Sequence, residues 1–145
     1  MYPFKEVNMN YKILTLQTNI DSRGALTSVE GLQDVPIEIK RIFYMHHVSE
    51  DRGGHAHIDT DQVVIPISGS FKIKIFDGKE SKVFEMNDCT RGLYIPRLTF
   101  TDLYDFTPEA VCLVLANTYY DMGKSLRSMD AYMSYLKDNN LYEHD

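Results

Sequence analysis

Four of the five histidines fall within twelve positions, at His46, His47, His55 and His57. His55 and His57 are two apart, so on an extended chain both imidazoles point to the same face. Arg52, Gly53 and Gly54 stand just before them, a turn that brings a cation near the rings. Three chemistries compete for His55-Ala56-His57. As metal ligands, two rings need at least one further donor. Asp61 and Asp102 are carboxylates that follow, but no histidine occurs between His57 and His144. As an acid and a base, the pair needs no metal, only a pocket that holds an imidazole neutral. As structural residues, the rings would only satisfy hydrogen bonds. The spacing alone does not choose among the three.

The elements that must position these residues read as short strands. Residues 12–18 form one, Asp21-Ser22-Arg23-Gly24 a turn, and residues 25–29 a second. Residues 37–48 read as one long strand. Ile37, Ile39, Arg41, Phe43, Met45 and His47 lie on one face of it, and Lys40, Ile42, Tyr44, His46 and Val48 on the other. Both faces mix apolar and polar groups, as in the wall of a cavity. Gly69-Ser70 separates residues 62–68 from 71–76 with a glycine suited to a type II′ hairpin turn. Asp77-Gly78 then reads as a type I′ turn into residues 81–84. Pro66, inside an apolar run, predicts an edge or a bulge. Further strands are expected at residues 92–95, 100–104 and 111–117. Only the C-terminus has helical spacing, through Leu126, Met129, Met133 and Leu136, with Ser125 as the expected N-cap. Eight or more short strands followed by one short helix predict an all-β sandwich or jelly-roll barrel.

Composition narrows the classes further. A chain of 145 residues fits one domain, spanning residues 1–145, and can bury a core. Its net charge of −6 argues against a general binder of nucleic-acid backbones, which needs a basic footprint. Ten tyrosines and seven phenylalanines supply a core or a stacking surface for a flat ligand. No stretch has the roughly 18 consecutive apolar residues of a membrane span. Met1 to Lys12 holds no secretory apolar run, so a cytoplasmic protein is expected. Cys89 and Cys112 lack CxxC spacing and are expected as free, buried thiols.

An ordered series of motifs carries a resemblance. Asp21-Ser22-Arg23-Gly24, Ile39-Lys40-Arg41-Ile42, Arg52-Gly53-Gly54-His55-Ala56-His57, Asp61-Gln62-Val63-Val64 and Ser68-Gly69-Ser70 come first. Gly92-Leu93-Tyr94-Ile95-Pro96, Tyr104-Asp105-Phe106, Val114-Leu115-Ala116 and Tyr119-Tyr120-Asp121 follow. From about Asp21 to Asp121 the chain resembles the sugar 3,4-ketoisomerases of the cupin superfamily, which act on dTDP-4-keto-6-deoxyglucose. The resemblance implies a cupin-type jelly-roll homodimer that binds a dTDP-linked 4-keto-6-deoxy sugar and moves its ketone from C4 to C3. It implies no metal and no cofactor, since the reaction involves no net oxidation. The product would feed aminotransfer at C3, in the synthesis of a surface glycan or glycosylated metabolite.

Residue by residue, the resemblance makes His55 the principal base and His57 the proton donor, shuttle or orienter. Arg52 would steady the enediolate or the pyrophosphate. Tyr44 falls in the aromatic pair before the histidine motif, where the family commonly has two tyrosines and this chain begins with Phe43. Arg23, Arg41 and Gln62 match positions lining the pocket. Thr101 and Asp102 fall in a segment that often reads aromatic-histidine-acid in the family, with Thr101 in place of the histidine. Gly54, Ile58 and Asp59 also depart from the family pattern, and bear on selectivity and phosphate contacts. Two alternatives share the fold: a nucleotide-sugar epimerase, and a nucleotide-sugar-binding cupin without turnover. A metal-dependent cupin oxygenase is disfavoured by the missing later histidine.

Overall fold

The computed structural model describes residues 10–141, in which the apolar runs form two five-stranded antiparallel sheets. The first, in spatial order, is β1 (Lys12–Thr15), β9 (Arg91–Ile95), β6 (Gln62–Ser68), β11 (Val111–Ala116) and β4 (Arg41–His46). The second is β12 (Ser125–Leu126), β5 (Arg52–His57), β10 (Phe100–Tyr104), β7 (Phe71–Phe76) and β8 (Ser81–Met86). A hairpin of β2 (Gln17–Asp21) and β3 (Gly24–Ser28) pairs only with itself. This is the all-β jelly roll expected from the sequence, with one short helix at the C-terminal side.

Side-chain alternation sets the layers. Val64, Leu93 and Val114 of the first sheet meet Phe71, Ile73, Ile75 and Leu103 of the second in a dry core. Val63, Ile65 and Leu115 point the other way, under Val35 and Ile37. Strand β6 is therefore covered on both faces, which is why it reads as a continuous apolar run. Behind the second sheet, Ala56 and Phe100 pack against Tyr132 and Leu136 of α1 (Met129–Asp138).

Several local expectations are corrected. The strand over residues 37–48 shortens to β4, because Ile37 caps the outer face of the first sheet and His47 turns left-handed (φ 53). The strand over residues 12–18 divides at Leu16, whose N–H donates to the Thr90 carbonyl at 2.8 Å. Gly69-Ser70 is a corner between sheets, since β6 and β7 belong to different ones. Gly69 has φ 64, and a Cβ there would approach Ala110 Cα to 2.8 Å. Asp77-Gly78 opens a four-residue loop, because Phe76 pairs with Ser81 and the Asp77 carboxylate accepts from the Lys79 and Glu80 N–H groups at 2.8 Å each. Pro66 marks a bulge, where the register with β11 slips between Val111 and Cys112, and it lies beyond the β9 ladder, which pairs β6 only over residues 62–64. Cys112 is buried, but Cys89 is exposed in a turn held by its polar neighbours Asp88 and Thr90.

The helix is capped by Ser128, not Ser125, through a 3.1 Å bond from the Ala131 N–H to the Ser128 hydroxyl. Its apolar stripe is rotated from the expected one: Tyr132 and Leu136 are fully buried and Met129 is exposed. Burying Leu136 contributes roughly 1.5–3 kcal/mol. Tyr132 is favoured inward because its phenol finds acceptors, the carbonyls of Leu98 at 2.8 Å and Phe76 at 3.1 Å. Among the described residues no helix is long and apolar enough to cross a membrane. Tyr132→Phe keeps the ring but leaves these carbonyls without that donor, so urea unfolding should show a loss of about 1–3 kcal/mol. An unchanged unfolding midpoint would show that the phenol does not pin the helix.

Candidate active site

Strand β5 carries the histidines, and a bulge decides what accompanies them. In register with β10, His55 faces Thr101, Gly53 faces Asp102 and Arg52 faces Leu103, with a shift between Thr101 and Asp102. Gly54 is the extra residue. Residues three apart on a regular strand point to opposite faces, and one inserted residue reverses that parity. Arg52 therefore lines the same cavity as His55 and His57. Both glycines have positive φ, 90 at Gly53 and 74 at Gly54. A Cβ on Gly53 would come within 2.6 Å of the Thr101 carbonyl oxygen, so the close strand approach demands glycine there.

The cavity measures about 100 Å³ and opens between the sheets. Phe43, Met45, Val64, Leu103 and Val114 supply its apolar wall, and Arg52, Gln62, Thr101, His55 and His57 its polar one. The two imidazoles meet edge to face, with ring centroids 4.9 Å apart. Burial pushes the His57 pKa down to about 4, reinforced by His55 and Arg41 and opposed by Asp59. His55 is also shifted down, first by burial and further by Arg127 and Arg52, against the Gly53 backbone and Asp102. The Gly53 backbone favours the charged His55 ring, but burial outweighs it. Arg41 sits with its guanidinium 5.0 Å from the Phe43 ring and 5.4 Å from the Tyr120 ring. Its Nε is buried without a hydrogen-bond partner among the described residues. A buried donor of this kind suits an acceptor brought by a ligand.

The WxcM-like, C-terminal (FdtA) family model matches residues 9–137. The chain belongs to this family. It is 32% identical over 135 residues to a TDP-4-oxo-6-deoxy-alpha-D-glucose-3,4-oxoisomerase of Aneurinibacillus thermoaerophilus, covering 92% of this chain and 97% of that one. A mutant of the 3,4-ketoisomerase QdtA from Thermoanaerobacterium thermosaccharolyticum, in complex with TDP-4-keto-6-deoxyglucose, superimposes with a TM-score of 0.86 at 37% identity, over 90% of this chain and 96% of that one. A 3,4-ketoisomerase from Helicobacter canadensis gives a TM-score of 0.87 at 34% identity, over 90% and 100% of the two chains.

Not every residue drawn from the sequence reaches this FdtA-family pocket. His55, His57, Arg52, Gln62 and Thr101 line it, and Arg41 lies close enough to act on His57. Tyr44 does not: it projects from the opposite face of β4, is 62% exposed, and leans on His46. Phe43 and Met45 take the inward places, as the alternation with Arg41 requires. Asp102 points from the other face of β10 and reaches His55 only through its charge. Arg23 stands at the tip of the β2–β3 hairpin in an exposed ion pair with Asp21, away from the cavity lining. Asp61, weighed as a metal ligand, accepts from Arg97 and Asn117 at 3.1 Å each. Among the described residues no three His, Cys, Asp or Glu side chains are grouped to hold a metal ion. His144 lies outside the described residues. Ser125, overlooked as anything but a helix cap, has its hydroxyl 3.5 Å from His57 Nδ1.

Both imidazoles bind protons less readily in the folded chain than in the unfolded one, whose histidines titrate near 6.5. Their contribution to stability is complete above that value and is lost as pH falls toward about 4. An NMR titration should place the His57 midpoint near 4. Unfolding free energy should decline across the same window, less steeply in His57→Asn. A midpoint at the ordinary histidine value would reject a buried neutral pair.

Proposed function

We propose that this chain is a sugar-nucleotide 3,4-ketoisomerase that moves the ketone of TDP-4-keto-6-deoxyglucose from C4 to C3. The observation that carries the reading is the pair of neutral imidazoles facing a cavity bordered by Arg52 and Arg41, in a chain of the FdtA family. The C4 carbonyl acidifies the C3 hydrogen. His55, kept neutral by burial, takes that proton, and the electron pair spreads over C3, C4 and O4 as an enediolate. O4 gains a proton, O3 gives one up, and C4 is protonated as the C3 carbonyl forms. C3 and O3 each lose a hydrogen, while C4 and O4 each gain one. Electrons stay within the sugar, so the reaction calls for no redox cofactor, and the reading assigns no metal. Arg52 stabilises the oxyanion, and the unsatisfied Arg41 Nε, with its guanidinium, serves the pyrophosphate or an enediolate oxygen. Gln62 and Thr101 complete the sugar's polar surroundings. The 3-keto product is a substrate for a C3 aminotransferase, on the way to a surface glycan or glycosylated metabolite.

The reading has residues 1–145 acting as one cytoplasmic catalytic domain in a homodimer. Two features support the dimer. The β2–β3 hairpin holds Ile20 80% and Leu26 62% exposed, and β4 is an unpaired sheet edge flanked by exposed Ile42 and Tyr44. Such edges and apolar patches are normally covered. In a second copy the hairpin, with Arg23 at its tip, has a free strand to pair with. Light scattering should give about twice the 16.8 kDa chain mass. A monomer at high concentration would sink this assembly.

The activity itself is tested by incubating the protein with TDP-4-keto-6-deoxyglucose in D2O and trapping product with a C3 aminotransferase. A 3-keto product with deuterium in the ring is expected. Label beside a ketone that stays at C4 would mean an epimerase, and no label would mean a binding protein. His55→Asn should lower turnover by about 10²–10⁴-fold with much smaller change in nucleotide-sugar affinity. Full activity in that variant would remove His55 as the base.

A further inference from the structure

The shortest strand makes a contact whose chemistry exceeds its packing. Ser125 and Leu126 of β12 pair with His57 and Ala56, and the Ile58 N–H donates to the Lys124 carbonyl at 2.9 Å. Leu126 is held in the cluster beneath the helix. These contacts fix the Ser125 backbone beside His57, although the two residues are 68 apart in the chain. The result is the 3.5 Å approach of the Ser125 hydroxyl to Nδ1 of His57. The two nitrogens lie on different edges of the imidazole. Nε2 is thereby the edge left for the cavity that His57 lines.

We propose that Ser125 is a positioning residue, whose hydroxyl donates to Nδ1 of His57 and so holds that ring as the Nε2–H tautomer facing the substrate. This assignment rests on the ketoisomerase reading for its purpose, though not for its geometry. A serine hydroxyl can donate or accept, so the direction has to be argued. His57 Nδ1 is the hydrogen-bond partner of this hydroxyl among the described residues. Were the ring protonated at Nδ1, Ser125 would accept from it, and the ring nitrogen left for the substrate would have no proton to give. With the hydroxyl donating, its proton is used and the ring N–H is free for a sugar oxygen. The proposed base, His55, needs the complementary state, with an unprotonated ring nitrogen toward C3. A base at C3 with a donor near O4 requires that asymmetry. At 3.5 Å the contact is at the long end of hydrogen-bond distance, and such bonds commonly tighten when substrate is bound. Burial, then His55, Arg41 and Arg127, oppose protonation of His57 while Asp59 favours it, and together they keep the ring neutral, as a single-tautomer assignment needs.

The test is nitrogen-15 NMR of the histidine rings at neutral pH in the full chain. Wild-type His57 should show a protonated Nε2 and an unprotonated, hydrogen-bonded Nδ1. Ser125→Ala should give a mixture of tautomers, and lower kcat roughly 3- to 10-fold, the worth of one hydrogen bond, with KM nearly unchanged. Ser125→Thr, which retains the hydroxyl, should restore both readouts. Protonated Nδ1 in the wild type would overturn the proposal whether or not the alanine variant folds. An unchanged tautomer and kcat in Ser125→Ala would do the same. Failure of the isomerase reading is distinguishable, since it would leave the ring tautomer as stated and abolish only the turnover.

Discussion

The bulge at Gly53-Gly54 is the constraint on which the site depends. Without the extra residue, Arg52 would point to the face of β5 opposite His55, and the cavity would lose the arginine that lines it. The bulge requires two consecutive backbones at positive φ, and the approach of the Thr101 carbonyl leaves no space for a side chain at Gly53. A left-handed backbone costs a non-glycine residue about 1–2 kcal/mol, so glycine is the residue that makes this arrangement inexpensive. The same carbonyl-against-backbone contact brings Thr101 into the cavity across from His55. A departure from regular strand geometry is thus the device that gathers imidazole, guanidinium and hydroxyl around one cavity.

The strand so bent is stiffened from behind. Ala56, between the two histidines, faces the opposite way and is fully buried against Tyr132 and Leu136. Its small side chain lets the helix lie close, and the helix in turn is tied by the Tyr132 phenol to carbonyls outside β5. The imidazoles project from a strand clamped between β10, β12 and the helix, which limits their freedom before any ligand arrives. Precise placement of reacting groups by rigid elements is what makes proximity effective in catalysis.

Electrostatics follow from the same packing. Burial disfavours charge on both rings, and the arginines ranged around them act in the same direction. A neutral imidazole can take a proton and a protonated one cannot, so the cations that make the pocket positive also keep both rings able to accept one. Asp102 and Asp59 pull the other way and are outweighed, while the Asp61 charge is engaged by Arg97. An overall acidic chain can therefore hold a locally cationic pocket.

Much of this was legible locally. The two-residue spacing of His55 and His57 and the alternation placing Arg41 with Phe43 and Met45 are properties of near neighbours that strand geometry converts directly into faces. Gly53-Gly54, expected as a turn, is instead a bulge inside β5 that only the pairing with β10 reveals. The bulge kind of irregularity at Pro66 was readable too, because proline cannot serve an ordinary ladder. The choice of Tyr44 followed a family pattern where alternation alone favours Phe43. What a strand pairs with is a different matter. That Gly69 turns a corner between sheets, that Tyr132 outcompetes Met129 for the core, and that Ser125 meets His57 depend on contacts between residues distant in the chain. Periodicity assigns a side chain to a face of its own strand, but only the ladders between strands decide which faces meet, and the site is made where they do.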